Sequence, residues 1–137
     1  METAANALFS ALNELVVRKF ERGAFASEDE ANAYGNKITA AFAQACVQAG
    51  ENDFVQKFEV LATFANVELQ ELSPLSAVAA SLYDMINKRI IAKFEAGDFA
   101  SEEEANAFGN SITTAFSEAC SEAGDDDFMA IFDMKLR

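Results

Sequence analysis

The chain reads as an all-α protein, a bundle of about six helices built from two tandem three-helix repeats. Three observations predict this. A stretch beginning Phe20-Glu21-Arg22-Gly23 returns at Phe94-Glu95-Ala96-Gly97, an offset of 74 residues, and residues 20–59 match 94–133 without a gap at 24 of 40 positions. Self-similarity at a fixed period marks one supersecondary unit used twice. With only one proline and six glycines, little is left to turn a many-stranded β fold. Apolar residues recur at helical spacing of three and four throughout.

The repeated stretch is a corner. Gly23 and Gly97 follow apolar-periodic runs and suit the left-handed conformation that ends a helix. Ser27 and Ser101 precede new runs, with Glu30 and Glu104 three residues on, the spacing of a capping box. Phe25 and Phe99 lie between stop and start and read as plugs that hold the corner against the core.

The first helix is expected over residues 4–22, with Leu8, Leu12, Leu15, Val16 and Phe20 on one face. The second covers 28–49, with a Tyr34, Ile38, Phe42, Cys46 stripe, and ends at Gly50. The third runs from Phe54 to Leu72; apolar Val55, Val60, Phe64 and Val67 around it suggest burial on several sides. Ser73-Pro74 reads as a cap followed by proline at the first position of a fourth helix, 74–96. Leu75, Val78, Leu82, Ile86, Ile90 and Phe94 form its apolar face. The fifth, 102–123, repeats the second and stops at Gly124, and a shorter sixth carries Phe128, Ile131 and Phe132. The 137 residues form one domain, with repeat units 1–72 and 73–137 sharing a core.

The formal charge is −13, split as −6 up to Leu72 and −7 after it. Neither half offers the basic footprint of a nucleic-acid partner. Such a charge keeps copies apart at high concentration. No apolar run approaches membrane-spanning length, and no signal-peptide pattern opens the chain. Histidine is absent, so the commonest general base and metal ligand is missing; no P-loop, dinucleotide fingerprint or nucleophile elbow occurs. No enzyme activity, metal or cofactor is expected.

Four constellations remain. Gly35 and Gly109 sit inside helices, where close helix approach is the expected reason and a ligand gap the other. Cys46 and Cys120 occupy equivalent positions and read as small core residues or, facing each other near a pseudo-twofold axis, as a disulfide. The links Glu51-Asn52-Asp53 and Asp125-Asp126-Asp127 lack the ligand pattern of an EF-hand and read as helix caps. Six of the ten cations form two clusters, Arg18, Lys19, Arg22 and Lys88, Arg89, Lys93. Acidic runs Glu28, Asp29, Glu30 and Glu102, Glu103, Glu104 start the helices that follow them. These read either as dipole complementation on solvated faces or as a polarised surface on which two molecules dock through opposite charges. In the second case, protonating carboxylates would switch association.

The corner Gly23-Ala24-Phe25-Ala26-Ser27 resembles the Gly-Ala-Phe-Ser/Thr corner of the N-terminal domain of spidroins, the spider silk proteins. Residues 41–65 are similar to its last two helices in Ala-Phe-x-Gln, a Gly-x-Asn link, Phe-Val and a closing Phe-Ala; residues 33–50 also resemble the repetitive helical domains of egg-case and wrapping silks. The similarity covers about residues 20–66 and, through the repeat, 94–132. It implies a secreted, non-enzymatic domain that keeps a silk-type chain soluble during storage and promotes ordered self-association, as homodimer or fibre. The alternative is a small secreted carrier whose thirteen Phe line a cavity for a lipid-like ligand.

Overall fold

A computed structural model describes residues 2–48, 53–122 and 127–136. They form a helical bundle of six helices, with no strand among the described residues: α1 (Glu2–Glu21), α2 (Glu28–Gln48), α3 (Phe54–Phe64), α4 (Leu69–Glu95), α5 (Glu102–Glu122) and α6 (Phe128–Leu136). The expected all-α class holds. The expected stops at Gly50 and Gly124 lie outside the described residues, as do Glu51, Asn52, Asp125 and Asp126.

Aromatic rings thread all six helices. Phe9 of α1 stacks on Phe128 of α6 at 4.3 Å, and Phe128 meets Phe116 of α5 edge-on at 5.7 Å. Phe116 meets Phe42 of α2 at 5.2 Å. Phe42 meets Phe54 of α3 at 5.7 Å, and Phe54 stacks on Tyr83 of α4 at 4.4 Å. Such pairs contribute about 0.5–1.5 kcal/mol each beyond the area they bury. Ala5, Ala45, Ala62, Ala79 and Ala119 are fully buried beside them, where a small side chain lets the helices close up.

The central pair, α2 and α5, is antiparallel. Phe42 faces Phe116, and one cleft, walled also by α1, is lined by Ala31, Asn32, Gly35 and Asn36 of α2 together with Cys120 and Ser121 of α5. Residue numbers therefore rise along one helix as they fall along the other. α1 and α4 are antiparallel too: Lys19 and Arg22 near the end of α1 reach Glu71 near the start of α4.

Both glycine corners form as expected. Gly23 has φ +76° and Gly97 φ +82°. The Gly23 amide donates to the Phe20 carbonyl and the Ala24 amide to that of Lys19; Gly97 to Phe94 and Asp98 to Lys93 repeat the pattern. This is the Schellman closure, which satisfies the last carbonyls of a helix. Half of each capping box is present. Ser27 Oγ accepts the Glu30 amide and Ser101 Oγ the Glu104 amide, both at 3.2 Å. The Glu30 and Glu104 carboxylates make no return bond among the described residues. Phe25 packs on Tyr34 at 5.3 Å and Phe99 on Phe108 at 5.5 Å, both half-buried, so the plugs are in place.

The third and fourth helices differ from the expected boundaries. α3 stops at Phe64, eight residues before Leu72. Asn66 takes φ +70°, the Asn66 amide donates to Thr63 and the Val67 amide to Ala62, so a Schellman closure forms with asparagine in the place of glycine. Asparagine tolerates that conformation better than other residues with a Cβ. Val67 folds inward and is buried, so the apolar rhythm runs unbroken through a turn. Ser73-Pro74 is not a helix start: α4 begins at Leu69, and Pro74 lies inside it. There the ring leaves the Gln70 carbonyl without its helical donor. Leu72 and Leu75 are fully buried on either side of the proline and hold the turn in place.

Burial of α3 on several sides does not hold. Val55 and Val60 are exposed, and Phe64 is 80% exposed. Phe20 and Phe94, expected on apolar faces, are 49% and 50% exposed. Each lies in the last turn of its helix, where the chain swings away into the corner. Asp53 precedes α3 without a side-chain capping bond. A Cβ at Gly109 would fall 2.6 Å from Ile90 Cδ1, the movable tip of that side chain, whereas at Gly35 it would meet Val16 Cγ2 at 3.6 Å, an ordinary contact, so neither glycine is held by close approach of another backbone.

Candidate functional site

The cation clusters lie at opposite ends of the bundle. Lys19 and Arg22 sit beside Glu71 near the start of α4, while Lys88, Arg89 and Lys93 occupy that helix's far end. From Glu71 to Lys93 is 22 residues of helix, about 33 Å at 1.5 Å per residue. Each cluster shares its corner with an acidic run, Glu28, Asp29, Glu30 or Glu102, Glu103, Glu104, all six exposed in the first turn of α2 or α5. Each end is thus of mixed charge.

At the α1 end, the cluster converges on Glu71. Lys19 Nζ donates to its two carboxylate oxygens at 3.1 and 3.3 Å, and Arg22 Nη2 donates to one at 3.3 Å. The Tyr34 hydroxyl donates to Oε2 at 3.0 Å. Lys19 also sits 5.2 Å above the Tyr34 ring. The side chains of Lys19 and Glu71 are only 16% and 15% exposed. Burial would raise the Glu71 carboxyl, but the hydrogen bonds from Lys19, Tyr34 and Arg22 outweigh it and hold the pKa below the usual range. Burial, then donation to Glu71, pushes the Tyr34 phenol far above its ordinary value. Arg18 stands outside this knot, paired with Glu14 at 2.7 Å on the surface.

The α4 end has a similar ring-and-cation contact without the half-buried carboxylate. Lys93 Nζ lies 5.2 Å above Phe108, at the position equivalent to Tyr34, and Arg89 Cζ is 6.0 Å from the same ring. Phe108 has no hydroxyl to offer, and Lys93 pairs instead with Asp98 at 3.6 Å. Lys88 is exposed and makes no ion pair among the described residues.

The cysteines do not face each other. Both are free thiols, half-buried against the core. Each lies four residues past its phenylalanine, about 6 Å along its helix. On antiparallel helices those steps diverge, and ideal helix rise sets the two backbone positions about 12 Å apart along the axis, beyond the Cα spacing of about 5.5–6 Å that a disulfide spans. Phe42 and Phe116 are the pair that oppose each other, at 5.2 Å. Burial pushes both thiols well above their ordinary pKa. Both pack against the core as small side chains.

A groove of about 570 Å³ runs between α1 and α4, floored by Ala11, Leu15 and Leu75 and flanked by Arg18, Arg22 and Glu71. None of the thirteen Phe lines it. Among the described residues there is no group of three side chains suited to hold a metal ion, and no helix is long and apolar enough to cross a membrane.

Glu71 is the residue that sequence reasoning did not single out. It lies outside the repeated stretch, in the run Glu68-Leu69-Gln70-Glu71, where nothing local distinguishes it from a solvated acid. No family model, curated protein or solved structure matches the chain.

Proposed function

We propose that the chain is a non-enzymatic assembly domain of a secreted, silk-type fibre protein. It keeps its parent chain soluble at high concentration and promotes ordered, acid- or salt-dependent self-association. The reading rests on the sequence resemblance to spidroin domains. The observation that carries it is the charge arrangement: a −13 surface whose two cation clusters each lie beside an exposed carboxylate run, one at either end of the bundle. The net charge opposes contact between copies. Neutralising part of the carboxylates leaves the cations in greater proportion and lowers that repulsion.

The test is molar mass by light scattering after size exclusion, at about pH 7.5, about pH 5.5 and about pH 4.5, the last close to ordinary carboxylate values. Low and moderate salt are compared, each with and without reductant. The expected result is a reversible passage from monomer to dimer or larger species on acidification, unaffected by reductant and weakened in the Arg18→Glu, Lys88→Glu double variant. A monomer under every condition overturns the switch.

A further inference from the structure

We draw no further inference here: the strongest candidate, the exposed apolar face of α3 carrying Val60 and Phe64, is an unpartnered helix face, and nothing in the structure shows what covers it.

Discussion

Glu71 accepts a hydrogen bond from the Lys19 ammonium at 3.1 Å, across 52 residues of chain. With Tyr34 donating to the same carboxylate, three helices meet at one half-buried acid. Removing that acid releases the exposed Arg22 to water and leaves the sheltered Lys19 ammonium and Tyr34 phenol without their acceptor. Such orphaned groups cost about 1–3 kcal/mol each. Glu71→Ala is expected to lower stability by at least that amount in urea unfolding followed by circular dichroism. Glu71→Gln keeps an acceptor for Tyr34 and loses less. The pH dependence has a definite sign. The folded-state pKa of Glu71 lies below its unfolded value of about 4.3. Its stabilising effect is fully present above the unfolded value and is lost as pH falls through the folded one. Wild type and Glu71→Gln should therefore differ by a constant amount from about pH 7.5 to about pH 5.5 and converge only in stronger acid. Convergence already at about pH 5.5 would refute the depressed pKa.

Asn66 ends α3 with φ +70°. A β-branched residue there meets the left-handed penalty of about 1–2 kcal/mol, so Asn66→Val should lose about that much. Asn66→Gly should be neutral or slightly stabilising. The two are compared by thermal unfolding. Equal losses in both would mean that the Asn66 side chain, rather than its backbone, holds the turn.

Part of this architecture was legible because its signals are local. Gly23 and Ser27 mark a stop and a start within five residues, and the structure forms both. The Phe42 and Phe116 stripes were readable from spacing alone. The break after Phe64 was not: Asn66 can serve either helix or turn, and Val67 continues the apolar rhythm while being buried in a non-helical segment. Pro74 drew the expected start to itself although helix already surrounds it. Glu71 and the cysteines were beyond reach for another reason. Their partners depend on how helices distant in sequence are paired and in which direction they run, and no local pattern encodes that.

Ser27 and Ser101 each hold one amide at the head of a long helix, at 3.2 Å. Replacing an N-cap serine by alanine costs about 0.5–2 kcal/mol. Ser27→Ala and Ser101→Ala are expected to cost about 1 kcal/mol each. Because the two corners lie at opposite ends of the bundle, the double variant should equal the sum to within about 0.5 kcal/mol. Denaturant midpoints at constant slope check this. A double variant that loses much more than the sum would show that the corners communicate through the core.

Cys46 and Cys120 offer a test of helix direction. If α2 and α5 run antiparallel about the Phe42–Phe116 contact, the thiols stay apart and no oxidant can join them without unfolding. The thiolate is the reactive form, and burial raises both pKa values. The folded protein should therefore react slowly with a thiol-specific reagent near neutral pH, while both thiols titrate promptly in denaturant. Mild oxidation followed by peptide mapping should give no Cys46–Cys120 bridge in the folded monomer. Efficient formation of that bridge under native conditions would require the two cysteines to lie side by side. It would overturn the antiparallel packing of the central helix pair and, with it, the placement of the two charged corners at opposite ends.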